Sequence, residues 1–301
     1  MEAGEDELRR AAFGDSPDLD VWGALASSSS RVRWLAAVVL GGQGHYAAAA
    51  TVLDALRHDP DPVIASLALS TRASHHRQLG AHHLARGLDG LAIARVSDTD
   101  AGDPDGADAL GARIDALLGL AADAIGAGRP HESRRLLAQV GETRSWRSSV
   151  RLGWVTAEVE LASGRAHDAV APAEEAYGVA TGAGAVRHAI KSALVLGTSL
   201  VVWGTPDGLK RGVDLVGCDL NHSAMKGLHP LIWPSALVLA GHAPTVDARA
   251  TDRAIEALSC VLRRAAPVSR QVAFESPWIP TGLLRSGEPP NADPQANFLT
   301  D

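Results

Sequence analysis

Large flat side chains are scarce in this 301-residue chain: aromatics make up 4% of it, with two tyrosines and three phenylalanines. Hydrophobic residues still reach 46%, so the core has to be filled mainly by Ala, Leu and Val. Side chains that small favour close helix–helix contact over thick sheet sandwiches. Cysteine is nearly missing. Cys218 and Cys260 stand far apart, which excludes a disulfide framework or a thiolate metal set, and both are expected as small buried hydrophobes. Long apolar runs are missing too. The longest, Ala189 to Trp203, contains Lys191 and is too short to span a bilayer. The opening MEAGEDELRR lacks the apolar stretch of a signal peptide, so a cytoplasmic protein without membrane attachment is expected. The net charge of −7 argues against a general nucleic-acid binder, which needs a basic face to neutralise phosphates.

Catalytic signatures are equally absent. There is no Gly-x-Ser-x-Gly elbow, no His-Glu-x-x-His segment and no Gly-x-x-x-x-Gly-Lys-Ser/Thr loop. Cys218 and His222 stand four apart, a spacing many helices show by chance. Glu174 and Glu175 are adjacent, so on a helix they face different ways. No enzyme activity, cofactor or metal is therefore expected. His75, His76, His82 and His83 crowd into one short stretch, but no carboxylate or thiolate accompanies them at ligand spacing. They read as a solvated turn flanked by histidines. Asp98, Asp100, Asp103, Asp105 and Asp108 do not follow calcium-loop spacing and read as a solvated acidic loop.

What is present is helical periodicity. Apolar residues recur at three- and four-residue spacing between the two ends, and even Val195 to Trp203, the best strand candidate, lies within a longer helical run. Residues 1–16 read as a charged tail, followed by a helix from Asp18 to Ala26. Residues 267–301 are interrupted by Pro267, Pro277, Pro280, Pro289, Pro290 and Pro294 and read as a Pro-rich extension, disordered over 285–301. Within it, Phe274 to Pro280 is expected to dock back on the protein, with partner binding as the alternative. The repeat-bearing domain is then 17–266.

That domain repeats. Small turns contain Gly44, Gly80, Gly128, Gly164 and Gly204, spaced about 36 to 48 residues apart. Seven residues before each stands Ala37, Ala73, Ala121, Ala157 or Gly197. Five after stand Ala49, Ala85, Ser133, Ala169 and Leu209. An antiparallel helix pair needs small residues where its axes approach and a permissive residue at its turn. Leu228 to Ala240 and Arg249 to Ala265 read as one more pair, capping the array.

The best stretch, Ala37 to Pro60, includes Gly44-His45-Tyr46, Ala49, Leu53, Leu56 and Asp59-Pro60. The next, from Trp154, includes Gly164-Arg165-Ala166, Ala169, Ala173 and Ala176. Over roughly residues 30–220 the chain resembles the tetratricopeptide repeat, a helix–turn–helix unit of about 34 residues. The resemblance implies an all-α solenoid of antiparallel pairs with one concave face; the alternative is an irregular all-α domain. In that family the first helix of each unit lines the concave face. The resemblance therefore points to Arg31, Trp34, Arg77, Asp115, Arg151, Trp154, Glu158, Lys191 and Thr198 as a binding surface. Indoles and arginines there suit an acidic or C-terminal peptide segment. The alternative is that Trp34 and Trp154 pack between units and the arginines are solvated. The expected function is a non-enzymatic scaffold, adaptor or regulator holding a protein segment. A ligand- or peptide-sensing regulator is the second reading. Residues 1–29 leave no room for a DNA-binding helix-turn-helix, so output is expected to pass through another protein.

Overall fold

The computed structural model describes residues 4–96, 102–243 and 249–286. Among these the chain is helical, with no strand. Its helices are α1 (Glu5–Phe13), α2 (Ser30–Gly42), α3 (Tyr46–Leu56), α4 (Pro62–Arg77), α5 (His82–Arg95), α6 (Ala109–Gly126), α7 (Pro130–Leu137) and α8 (Trp146–Leu161). They continue with α9 (Ala166–Gly182), α10 (Val186–Trp203), α11 (Pro206–Met225), α12 (His229–His242), α13 (Ala250–Arg263), α14 (Pro267–Glu275) and the short α15 (Leu283–Ser286). None of the described helices is long and apolar enough to cross a membrane.

Local chemistry sets the boundaries. Ser29, Asp61, Asp108 and Ser145 each accept a backbone N–H of the first turn of α2, α4, α6 and α8, satisfying donors that the helix cannot. Pro62 opens α4 at a position where its missing N–H removes no helical bond. The five turn glycines all adopt left-handed backbone, with φ between +70° and +85°. Ala37, Ala73, Ala121 and Ala157, seven residues earlier, are fully buried.

Each helix from α1 to α12 packs on the next, and α2, α4, α6, α8, α10 and α12 also pack on one another in sequence. The contacts between successive odd-numbered helices are weaker, so the row curves with the even helices inside. The ends of the row meet. Helix α1 packs on both α2 and α10, and the Val186 N–H donates to the Gly14 carbonyl at 2.9 Å. The Ala47 N–H donates to the Arg264 carbonyl at 2.9 Å, and Arg264 Nη1 donates to the Gln43 carbonyl at 3.1 Å. Tyr46 and Leu79 share a hydrophobic cluster with Trp233, Leu258 and Val261.

Several sequence expectations change. Within the stretch read as a charged tail, α1 buries Leu8, Ala11, Ala12 and Phe13, a stripe hidden in the sequence by surrounding charge, and Glu5, Asp6 and Glu7 suit its N-terminal dipole. Only a 3-10 turn, Trp22–Ala26, forms where a helix from Asp18 was expected. Pro267 starts α14 rather than preventing it, because the first turn tolerates proline. The expected disorder over 285–301 falls almost wholly outside the described residues. Phe274 to Pro280 meets the α4–α5 turn: Ser276 Oγ donates to the Gly80 carbonyl at 3.1 Å, Trp278 packs edge-on against His82 at 5.6 Å, and Ile279 is buried.

Candidate functional site

The inner row encloses a cavity of two adjoining lobes, about 70 Å³ and about 50 Å³, and every even helix from α2 to α12 contributes to one or both. Gly42, Ser74, Gln78, Arg151 and Arg187 line both lobes. The larger lobe adds Trp154, Glu158 and Leu161 from α8, Lys191, Leu194, Val195 and Thr198 from α10, and Trp233 and Pro234 from α12. The smaller lobe adds Trp34, His75, Asp115, Arg147 and His188, and Phe13 from α1 lines it as well.

The two indoles are part of the wall. Trp34 is 1% exposed and Trp154 2%. Each is fixed through its ring N–H to a hydroxyl on the next inner helix: Trp34 Nε1 donates to Thr71 Oγ1 at 3.0 Å, and Trp154 Nε1 donates to Ser192 Oγ at 2.8 Å. Both indoles are thus buried and tied to a neighbouring even-numbered helix. The Lys191 ammonium lies 4.5 Å from the Trp154 ring centroid, a cation–π contact. His188 stacks on the same Trp154 indole, with ring centroids 5.6 Å apart, and meets Trp146 edge-on at 5.0 Å.

Charge inside the wall is mostly positive. Arg147 Nη1 donates to Asp115 at 2.8 Å, while its Nε and Nη2 donate to the Asp105 and Gly106 carbonyls. Arg151 Nε reaches the same carboxylate at 3.2 Å. Arg147, Arg151, Arg187 and Lys191 thus face two carboxylates, Asp115 and Glu158. Burial pushes the His75 imidazole down to about 3, with Arg72, His76 and Arg187 adding to the effect. Burial first, then Arg187 and Arg147, holds His188 well below its usual value. Both rings are neutral at ordinary pH, each keeping one N–H and one lone pair. Buried polar atoms of the lining without a hydrogen bond include His75 Nδ1, His188 Nδ1 and Thr198 Oγ1.

Of the residues implied by the repeat resemblance, Trp34, Asp115, Arg151, Trp154, Glu158, Lys191 and Thr198 line the cavity. Arg31 and Arg77 do not. Arg31 donates to the Ala107 carbonyl at 3.0 Å, beside Asp103. Arg77 is buried against α5 and α6, bonding Asp89 at 3.0 Å, Asp123 at 2.8 Å and the Gly119 carbonyl at 3.1 Å. Standing last in α4, it turns outward to two carboxylates that would otherwise be buried without a cation. Sequence reasoning missed Arg187, which opens α10 one turn before Lys191 on the same face.

The histidine stretch is only partly solvated: His83 is exposed and His76 half-buried. His75 packs on Tyr46 with ring centroids 4.9 Å apart, whereas His82 faces Asp123 at 3.4 Å, and both are buried. Nor is the described part of the acidic loop merely solvated. Asp103 and Asp105 bind Arg9 of α1 at 2.6 and 2.9 Å, and Asp108 caps α6; Asp98 and Asp100 lie outside the described residues. Cys218 is exposed, with its thiol 3.7 Å from His222 Nδ1, so its expected burial does not hold. No family model matches this chain, and no curated protein matches it.

Proposed function

We propose that this chain is a non-enzymatic regulatory binding protein, a tetratricopeptide-like solenoid of antiparallel helix pairs whose ends close on each other. Its concave side holds a small ligand, and occupancy is passed to a protein partner. The observation that carries the reading is the cavity itself, walled by all six inner helices. A ligand touching helices distant in sequence biases their relative placement, and a differential affinity for one placement is what a sensor requires. This is the second of the two expected functions. The first, a protein segment lying in the concave face, needs exposed indoles along the inner row; the buried Trp34 and Trp154 favour a small molecule instead.

Thermal unfolding of the full chain in the presence of fractionated extract from its source cells tests this. The small-molecule fraction is expected to raise the melting temperature by several degrees, since ligand at about 100 times its Kd adds roughly 2.7 kcal/mol. Ser74 lines both lobes, so Ser74→Phe fills them and removes the rise while leaving the fold helical. A rise produced only by the protein fraction, or retained in full by folded Ser74→Phe, overturns the proposal.

A further inference from the structure

We infer that the junction between the chain's two ends is an acid-operated latch: protonation of His45 and His229, beside Arg264, parts α12 and α13 from the α2–α3 turn while the helices themselves remain. The latch is independent of what the cavity holds.

The junction is built on one short turn, Gln43-Gly44-His45. Arg264, just past the end of α13, holds it at two points. Its Nη1 donates to the Gln43 carbonyl at 3.1 Å, and its own carbonyl accepts the Ala47 N–H at 2.9 Å. His45 lies between these two anchors in the chain. Gly44 leaves little room: a Cβ there would come within 3.3 Å of Val261 Cγ2 and 3.4 Å of Pro230 Cδ. Pro230 follows His229 directly. The first turn of α12 and the last turn of α13 therefore press on the turn that carries His45. Both imidazoles are half-buried.

The groups acting on the two rings are cationic. The end of α13 brings Arg263 and Arg264, α12 brings His229, and the turn brings His45, whose ring meets Trp22 edge-on at 5.1 Å. Helix α4 brings His75, which packs on Tyr46. The carboxylates of the segment before Trp22 are engaged elsewhere. Asp18 pairs with Lys226 at the end of α11 at 3.1 Å, and Asp20 accepts the Trp22 N–H at 3.1 Å. Burial first, then Arg264 and His229, holds the His45 imidazole below its usual value. Burial, then Arg264 and Arg263, does the same to His229.

Neutral rings tolerate these neighbours, and imidazolium ions do not. A ring whose value is lowered in the closed junction binds a proton more tightly once the junction opens. Its contribution to closure is complete above the ordinary histidine value of 6.5 and is lost as pH falls through it. One unit below that value, each ring can shift the balance toward the open form by at most about tenfold.

Amide hydrogen exchange of the full chain at about pH 7.5 and about pH 5.5, corrected for the intrinsic rate at each pH, tests the latch. The direct reporter is the Ala47 N–H, whose acceptor is Arg264 across the junction. Its protection is expected to fall at least several-fold at the lower pH, and by no more than about a hundredfold for two rings. The Arg165 N–H, which donates to the Glu160 carbonyl at 2.9 Å in the α8–α9 turn, should keep its protection. The double variant His45→Gln, His229→Gln keeps neutral polar side chains and removes both titrations, so its Ala47 protection should be the same at both pH values. His229→Gln alone serves if the double variant fails to fold, and should lose part of the response. Unchanged Ala47 protection in the unaltered chain, an equal fall at Arg165, or a full fall retained by the folded variant overturns the latch.

Discussion

Arg77 shows how one buried side chain can look functional in sequence and prove architectural. Its guanidinium lies between Asp89 and Asp123, both buried, with the Gly119 carbonyl as a further acceptor. Even with that cation, burial pushes the Asp89 carboxyl up to about 7, with Asp123 adding to the rise. Removing the arginine leaves two carboxylates facing each other without compensation, which costs about 3–5 kcal/mol. Arg77→Met is therefore expected to lower the urea midpoint sharply. The loss should also depend on pH. A carboxyl whose folded value is raised favours its protonated form in the folded protein. Its contribution is present below the unfolded value near 3.8 and is lost as pH rises through about 7. The variant should thus be more destabilised at about pH 8 than at about pH 5. Equal destabilisation at both pH values would show that Asp89 is not the group left exposed to the loss.

At the scale of elements, glycine has two separate jobs. At the turns it supplies left-handed backbone. Within α10 and α11 it lets two axes meet: a Cβ on Gly197 would come within 2.5 Å of Val216 Cγ2 and 3.0 Å of the Gly212 carbonyl. Gly197→Ala is expected to cost about 1–3 kcal/mol through overpacking. Gly178 on α9 has open space around the same position, so Gly178→Ala should instead stabilise by up to about 1 kcal/mol, as alanine does in a helix interior. Chemical denaturation of the two variants separates packing from propensity, and a negligible loss for Gly197→Ala would break the close-approach account. These elements were legible in the sequence because their causes are local. A turn needs Gly44 or Gly164, and a tight crossing needs Ala37 or Ala157. Trp34 and Trp154, ten residues before two of those glycines, came out equivalent for the same reason, each bonding a hydroxyl on the next inner helix. Helix α1 was hidden because its buried stripe is short and set among charges. The place of Arg31 and Arg77 depends on Asp103, Asp89 and Asp123, partners that only the folded chain brings near.

Curvature belongs to the whole molecule, and no local pattern encodes it. Small rotations from pair to pair decide whether a row of helices stays open or brings its ends together. Here α13 and α14 reach the first two helix pairs through Arg264 with Gln43 and Ala47, Ser276 with Gly80, and Trp278 with His82. The physical consequence is a change in cooperativity. In an open array each unit touches only its neighbours, so damage at one end loosens that end alone. In a closed row the same damage must travel across the seam. The double variant Ser276→Ala, Trp278→Ala removes one hydrogen bond and one ring contact from the C-terminal side without altering α4 or α5. It is expected to raise amide hydrogen exchange at the α4–α5 turn, around Gly80 and Ala81, although Ser276 and Gly80 lie 196 residues apart in sequence. Exchange in α9, which packs on α8 and α10, should stay at its starting level. Faster exchange confined to α12, α13 and α14 would mean that the seam transmits nothing and the row behaves as an open one. A response at the α4–α5 turn would instead mean that the seam couples the chain's two ends, so that stability lost on the C-terminal side is felt across it.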